Sequence, residues 1–262
     1  MGAADDGGPL ARRTVDVSVL VRAPAKLTLS LRVTGVRRDG YHLIDAEMVT
    51  LELADTLTID ETGDSLTAGG PYSAGLPLDG SNLVARALVV TRKHAAVHVD
   101  KQIPHGGGLG GGSADAAAVL RWAGYTDLDG AARLGADVPF CLVGGRARVR
   151  GIGQIVDAMP HLPMDLTLVI PPLACSTPTV FAAWDQRGGL DGADQSCGGP
   201  NDLTAAALVV EPLLAEWRDR IVEASGVRPT LAGSGATWFL EGHHPLLRDA
   251  LTDARVVLTR TT

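Results

Sequence analysis

Cysteine is scarce in this 262-residue chain, which contains Cys141, Cys175 and Cys197 and no others. An odd number of cysteines at these spacings matches neither a zinc-binding motif nor a disulfide framework. We therefore expect each of them to be a small core or loop residue in a reducing compartment.

Long apolar runs are also missing. No segment approaches the roughly 20 consecutive apolar residues that cross a bilayer, and the first twenty residues mix acidic and basic side chains without an apolar stretch. These features predict neither a membrane span nor a signal peptide, so the cytoplasm is the expected location.

Positive charge is in deficit, since 23 Lys and Arg face 30 Asp and Glu, which gives a net charge of −7. This balance disfavours nucleic acid or a membrane surface as a partner, because both attract basic patches. The 45% hydrophobic composition suffices for a substantial core. The 32 glycines indicate many tight turns and a site lined by backbone.

The apolar pattern predicts a β-rich amino-terminal part followed by mixed elements. Strands are expected over 15–22, 27–33, 43–53, 56–59, 97–99, 138–142, 147–150, 166–170 and 256–258, and on both sides of a turn at 231 and 236–240. Helices are expected over 82–94 with Ser81 as N-cap, over 114–122, within 202–224 with Pro212 at a helix start, and over 245–253. Residues 188–200 read as an exposed loop or connection. The elements do not alternate as strict βαβ units, which favours the α+β class.

Six glycines occupy the seven positions from 106 to 112, between Pro104 and Ser113. Glycines leave backbone N–H groups uncovered, and the alanine-rich helix that follows would point its positive amino end at the same place. Together these features predict an anion site. A flexible linker is the alternative, but a linker would not run straight into a strong helix former.

Three further positions carry candidate chemistry. Lys26 lies in an apolar strand, where it is either an edge charge or a site residue. Asp137 lies among small and apolar residues, and its spacing alone favours a helix cap over a site residue. Residues 233–235, Gly-Ser-Gly, form a turn between strands, for which an ordinary hairpin is the simplest interpretation.

Taken together, these segments resemble the GHMP kinase superfamily. The resemblance covers residues 23 to about 240 and rests on 23–27 (Ala-Pro-Ala-Lys-Leu), 34–35, 38–42 (Arg-Asp-Gly-Tyr-His), the glycine loop, 134–140, 151–153, 176–181, 201–203 and 233–235. The Asp-Gly-Tyr-His element is similar to that of the branch acting on a cytidine diphosphate-linked methylerythritol.

The resemblance implies a two-domain α+β GHMP kinase fold with the active site in the cleft between domains. We expect a disordered tail at 1–13, a nucleotide-binding kinase domain at 14–158 and a carboxy-terminal domain at 159–262. The implied reaction is ATP-dependent phosphorylation of the 2-hydroxyl of that methylerythritol compound, in the non-mevalonate isoprenoid pathway. Mg²⁺ is expected with ATP, with Ser113 as a possible contact and its ligands otherwise unassigned.

The resemblance also implies roles for individual residues. Asp137 would be the general base, and Lys26 would position it. ATP would contact Asn82 and Pro104, His105, Gly106, Gly107, Gly108, Leu109, Gly110, Gly111, Gly112, Ser113 and Ala114. The second substrate would contact Thr28, Tyr41, His42, Ile152, Thr177, Phe181, Gly233, Ser234 and Gly235. From the residues alone, Tyr41, His42 and Phe181 could equally be core.

The chain departs from the family pattern at several points. Thr28 replaces a usual Asn, Gln154 replaces a usual Glu, His105 is unusual before the glycines, and the segments around the glycine loop are short. Two alternatives therefore stay open: a GHMP kinase acting on homoserine, a mevalonate derivative or a sugar, and a nucleotide-binding homologue without activity.

Overall fold

The computed structural model describes residues 18–192 and 199–262. Over these ranges the chain forms ten β-strands in two sheets together with eight α-helices. Mixed strands and helices without βαβ alternation confirm the predicted α+β class. The predicted tail at 1–13 and Cys197 lie outside the described residues.

The first sheet is organised by its long second strand. One edge of β2 pairs with β1 in antiparallel register from Ser18–Asp60 to Val36–His42. The other edge is shared, because its beginning pairs with β5 and its end pairs with β4. The strands are β1 (Ser18–Val36), β2 (His42–Asp60), β3 (Leu66–Gly69), β4 (Ala96–Asp100), β5 (Arg146–Gly151) and β6 (Ile155–Met159).

The two breaks predicted within the first 60 residues do not occur, since β1 and β2 are each continuous over the described residues. Pro24 lies between the two strands that were predicted here, and a register shift between Pro24 and Lys26 accommodates it. Proline cannot donate to the ladder, and a bulge supplies the irregularity that it needs.

The second sheet is antiparallel, with strand order β10-β7-β9-β8. Leu27 and Leu51 of the first sheet pack with Leu168 and Phe239 of the second in a shared apolar cluster. The strands are β7 (Asp165–Ile170), β8 (Thr230–Leu231), β9 (Trp238–Glu241) and β10 (Arg255–Arg260), at or near the predicted positions.

Helices cover the remaining core. The alanines of α2 are fully buried, which lets this helix lie close to its neighbours. No helix in the described ranges is long and apolar enough to span a membrane. The helices are α1 (Leu83–Thr91), α2 (Gly111–Trp122), α3 (Leu128–Leu134), α4 (Val138–Val143), α5 (Thr177–Gln186), α6 (Thr204–Val210), α7 (Leu213–Ser225) and α8 (Leu247–Ala250).

Three predictions about helices are wrong in detail. The segment 138–142 is helix α4 rather than a strand, and Pro139 lies in its first turn, where proline is tolerated. The helix predicted over 245–253 shrinks to the four residues of α8. The cap of α1 is Asn82 rather than Ser81. Helices α3 and α5 and strands β3 and β6 had no counterpart in the prediction.

The apolar core crosses the predicted domain boundary at 158/159. Both clusters of buried apolar residues contain members from each side, such as Leu27 with Leu168 and Val138 with Val180. The division at this point therefore stays a prediction.

Candidate active site

A cavity of about 840 Å³ is lined by residues that lie between positions 26 and 235 of the chain. Its walls come from β1, the start of β2, the glycine loop, the turn before α4, helix α5 and the turn between β8 and β9. Among the described residues it brings together most of the predicted site residues: Lys26, Thr28, Tyr41, His42, Pro104, His105, Gly106, Gly107, Gly108, Gly110, Gly111, Gly112, Ser113, Asp137, Ile152, Thr177, Phe181, Gly233, Ser234 and Gly235.

Three predicted nucleotide contacts do not line this cavity. Asn82 caps α1, because its Oδ1 accepts from the Val84 N–H at 2.8 Å and its Nδ2 donates to the Pro77 carbonyl at 2.7 Å. The side chains of Leu109 and Ala114 are fully buried in the apolar core. A leucine or alanine within such a loop anchors the backbone rather than facing a ligand.

Lys26 and Asp137 form an ion pair at the cavity wall. The Lys26 Nζ lies 3.2 Å from Oδ2 of Asp137 and donates to Oγ1 of Thr28 at 3.1 Å. The lysine is buried, whereas the aspartate side chain is 31% exposed. Asp137 precedes α4, but its side chain makes no capping hydrogen bond. Its carboxylate therefore remains available to a group inside the cavity.

The glycine loop passes against this pair. Gly110 has φ +67°, and a Cβ there would lie 2.7 Å from Cγ of Lys26. Both the left-handed backbone and the close approach require glycine. On the other side, the Thr237 N–H donates to the Gly107 carbonyl at 3.2 Å, which joins the loop to the turn before β9.

The amino end of α2 meets the cavity without a side-chain cap. Gly111, Gly112 and Ser113 are its first three residues and all line the cavity. The first N–H groups of a helix have no partner within the helix, and its dipole places partial positive charge there. This geometry suits a phosphate group, as the sequence predicted.

A buried charge cluster, Lys101 with Asp55 and Asp115, lies directly behind the loop. The Lys101 ammonium contacts Oδ2 of Asp55 and donates to Oδ2 of Asp115 at 2.6 Å. Asp55 Oδ1 also accepts from the N–H groups of Gln102 and Ile103. A Cβ at Gly111 would lie 3.2 Å from the Lys101 Nζ. Sequence reasoning missed this cluster, although an aspartate within an alanine-rich helix was a signal.

Burial and ion pairing act in opposite directions on the pKa values of this cluster. Burial raises the pKa of Asp115 to about 7, against the lowering effect of Lys101. Burial also acts to lower the pKa of Lys101, but the carboxylates of Asp115 and Asp55 outweigh it and leave that pKa above its ordinary value. Asp115 Oδ1 has no hydrogen-bond partner among the described residues.

The far end of the cavity is aromatic. His42, at the start of β2, stacks on Phe181 of α5 with ring centroids 4.5 Å apart and packs edge-on against Trp184 at 5.6 Å. Its Nε2 lies 2.8 Å from Oδ1 of Asp185. Sequence reasoning missed Trp184 and Asp185, whose spacing from Phe181 places all three on one helix face.

Asp39 also lines this end and was not predicted as a contact. Its Oδ1 accepts from Nε of Arg37 at 2.8 Å, and this hydrogen bond lowers the pKa of Asp39 to about 2. The carboxylate is therefore ionised at neutral pH. Tyr41 follows in the same turn and is largely exposed.

Hydrogen bonds hold the Gly-Ser-Gly turn at the cavity. The Ser234 and Thr177 hydroxyl oxygens are 2.8 Å apart. Asn201 Nδ2 donates to the carbonyls of Leu231 and Gly233, at 2.9 and 2.7 Å. Asn201 therefore stabilises the turn, and the turn itself lines the cavity.

A second turn supports Asp137. Gly153 has φ +117°, and a Cβ there would lie 2.1 Å from the carbonyl oxygen of Ala136, the residue before Asp137. Gln154, the departure from the family pattern, accepts from the Ile152 N–H at 2.8 Å through Oε1. The side-chain oxygen of Gln154 thus stabilises this turn, and the turn places Ile152 at the cavity wall.

Cys141 and Cys175 are buried free thiols, as predicted. Burial raises the pKa of Cys141 to about 12 and also raises that of Cys175. Since the thiolate is the nucleophilic form, neither residue is suited to covalent catalysis.

No group of three or more His, Cys, Asp or Glu side chains within 18–192 and 199–262 could hold a metal ion. Mg²⁺ commonly binds through one or two carboxylates together with substrate phosphates. The carboxylate of Asp137, which lines the same cavity as the glycine loop, is compatible with that mode.

Comparison with known proteins supports the family resemblance found in the sequence. The family model described as GHMP kinases N terminal domain matches residues 82–145. A 4-diphosphocytidyl-2-C-methyl-D-erythritol kinase from Paracoccus denitrificans is 40% identical, covering 83% of this chain and 84% of the relative. A kinase of the same name from Ruegeria pomeroyi is 38% identical, over 83% of this chain and 86% of its own.

Solved structures agree. The crystal structure of a 4-(cytidine 5'-diphospho)-2C-methyl-D-erythritol kinase superposes with a TM-score of 0.75 at 29% identity, over 93% of this chain and all of that one. A homoserine kinase from Cytophaga hutchinsonii gives a TM-score of 0.60 at 18% identity, over 97% of both chains, which shows the shared fold alone.

Proposed function

The chain belongs to the 4-diphosphocytidyl-2-C-methyl-D-erythritol kinase family of GHMP kinases and is an ATP-dependent small-molecule kinase, and we propose that it phosphorylates the 2-hydroxyl of 4-diphosphocytidyl-2-C-methyl-D-erythritol in this cavity. The observation that carries the proposal is that one cavity is lined by three groups of residues, each suited to a different part of the reaction. The Lys26–Asp137 pair and the amino end of α2 line it together with the aromatic end at His42 and Phe181.

Phosphoryl transfer to an alcohol requires a group that accepts the hydroxyl proton, and otherwise mainly positioning and charge neutralisation. Asp137 is suited to accept the proton, because its carboxylate is partly exposed to the cavity and makes no capping bond. The Lys26 Nζ lies 3.2 Å from Oδ2 of Asp137 and holds this carboxylate in place. In this proposal it also orients the hydroxyl.

The nucleotide phosphates are proposed to lie at the amino end of α2 and along the glycine loop. Gly110, Gly111 and Gly112 present backbone without side chains, and a Cβ at the first two would press on Lys26 or Ile103. Mg²⁺ would neutralise phosphate charge, with Ser113 and Asp137 as the donors within reach of the loop. The nucleotide contacts would fall within residues 14–158, whereas the second substrate would touch residues on both sides of the predicted boundary at 158/159.

The cytidine base is proposed to lie at the aromatic end. Tyr41, His42 and Phe181 line the cavity there, and aromatic faces suit a pyrimidine. Thr177 and the 233–235 turn would contact the remainder of the substrate. Homoserine and mevalonate have no group that would use such an aromatic end, which favours the diphosphocytidyl substrate over the alternatives.

The test is an ATP-consumption assay with the purified chain and three acceptors: 4-diphosphocytidyl-2-C-methyl-D-erythritol, homoserine and mevalonate. We expect turnover with the first and at least a hundredfold lower kcat/KM with the others. Comparable turnover of homoserine or mevalonate would overturn the substrate assignment. ATP binding without turnover of any acceptor would overturn the catalytic one.

A further inference from the structure

Helix α5 places three side chains around His42. Phe181, Trp184 and Asp185 follow the i, i+3, i+4 spacing of one helix face, and each contacts the imidazole in a different way. Phe181 stacks on the imidazole, and Trp184 packs edge-on against it. Oδ1 of Asp185 lies 2.8 Å from its Nε2. The ring is therefore fixed in position and in rotation by an element far away in sequence.

The contact with Asp185 also selects the tautomer. An ionised carboxylate only accepts hydrogen bonds, so the Nε2 of His42 must carry the proton that is donated to it. In the neutral imidazole the other nitrogen, Nδ1, is then an acceptor. No residue in the described parts of the chain hydrogen-bonds to this Nδ1, and His42 lines the cavity.

An acceptor at this position distinguishes the two common pyrimidines. Cytosine carries an exocyclic amino group that donates a hydrogen bond, whereas uracil has a carbonyl oxygen at the same place. A neutral Nδ1 matches the first and opposes the second, since two acceptors then face each other. A site that leaves a polar group unpaired rejects the wrong ligand strongly.

We propose that Asp185 is a positioning residue that fixes the Nε2-protonated form of His42 and thereby sets a preference for cytosine over uracil. This inference rests on the proposed function, because it assumes that a pyrimidine base occupies the aromatic end. Asp185 acts through the imidazole and needs no contact with the base itself.

The experiment compares Asp185→Asn with the unmodified chain, using CMP and UMP as probes at about pH 8. The asparagine amide has nearly the same shape but can donate to an unprotonated Nε2, which permits the opposite tautomer with a donor at Nδ1. We expect the ratio of CMP to UMP affinity, measured by calorimetry, to fall at least tenfold. The affinity for ATP and the melting temperature should stay nearly unchanged.

Asp219→Asn is the matched control. Asp219 is an exposed aspartate on α7 that also pairs with a neighbouring side chain, Nε of Arg218 at 2.8 Å, but it does not line the cavity. This variant should keep the original CMP to UMP ratio. A ¹⁵N spectrum of the His42 ring gives a second readout, with the proton on Nε2 in the unmodified chain and a shifted tautomer balance in Asp185→Asn.

Three results would overturn the inference. One is an unchanged CMP to UMP ratio in Asp185→Asn, another is an equal loss for both probes with a lower melting temperature, and a third is an unmodified chain that binds both equally. Failure of the proposed function is distinct, because it shows as absent turnover of the diphosphocytidyl substrate whatever the binding ratio.

Discussion

Two lysine–carboxylate clusters flank the glycine loop, one on each side. Lys26 lies against Gly110 and pairs with Asp137, whose carboxylate reaches the cavity. Lys101 lies against Gly111 and pairs with two carboxylates that are almost completely buried. The adjacent residues Gly110 and Gly111 thus lie between an ion pair that is open to the cavity and one that the protein encloses.

The comparison shows how access to solvent divides the work between similar residues. An ion pair that faces a cavity can exchange a proton with a ligand, whereas an enclosed pair can only hold its surroundings in place. Breaking an enclosed pair also leaves a charge without compensation. We therefore expect changes at Lys26 and Asp137 to affect turnover, and changes at Lys101 and Asp115 to affect stability.

The largest expected effect is on turnover in Asp137→Asn. The amide keeps the shape of the carboxylate but cannot accept the hydroxyl proton, and loss of a general base costs about 10²–10⁴-fold in rate. Steady-state kinetics should show this loss in kcat while calorimetry shows ATP binding retained. A variant that keeps more than half of the original kcat would refute the role of Asp137.

The next prediction compares the free energies of unfolding of Lys26→Met and Lys101→Met. Removing Lys101 strands two buried carboxylates, and breaking such a pair costs about 3–5 kcal/mol of unfolding free energy. Removing Lys26 leaves Asp137, which is partly exposed and can be hydrated, so its stability cost should be smaller. Guanidinium unfolding of both variants measures the difference.

Activity supplies the converse readout for the same pair. Lys26→Met should lose most of its turnover while remaining folded, which a circular dichroism spectrum would verify. Similar unfolding free energies for the two variants would mean that the open and closed clusters do not differ as proposed.

The last expected effect is on the pH dependence of stability. The pKa of Asp115 is raised to about 7 from an ordinary 3.8, so the folded state keeps a proton that the unfolded state releases. The free energy of unfolding therefore falls as pH rises from about 4 to about 7, and the stabilisation is fully present below that window. Asp115→Asn should flatten this fall.

Urea unfolding at several pH values between 4 and 8 measures this slope. Asp219→Asn serves again as the control, because Arg218 lowers the pKa of that exposed carboxylate instead. An unchanged slope in Asp115→Asn would place the titrating group elsewhere.

Much of the structure could be predicted from local sequence patterns. The glycine loop running into α2 followed from backbone chemistry, and the resemblance placed Lys26, Asp137, His42 and Phe181 on the wall of one cavity. Alternation of apolar residues likewise indicated the first strand of the first sheet. These features depend on neighbours in sequence, which a pattern can express.

The misses depend on neighbours in space. The apolar run at 138–142 has no periodicity to separate a buried strand from a buried helix, and the structure shows a helix whose first four residues are buried. Lys101 meets Asp55 across 46 positions of sequence, and His42 meets Asp185 across 143. Without the fold, nothing pairs one charge with another over such separations.

The turn at Gly153 has a consequence for how variants of this enzyme would be interpreted. Any side chain at this position would push on the carbonyl of Ala136 and so displace the carboxylate that follows it. In a library selected for growth, position 153 would behave like a catalytic residue, intolerant of every replacement. Yet the residue itself carries no reactive group. An inventory of essential positions would therefore overcount the residues that perform the chemistry, and it would include a glycine whose contribution is the space that it leaves empty.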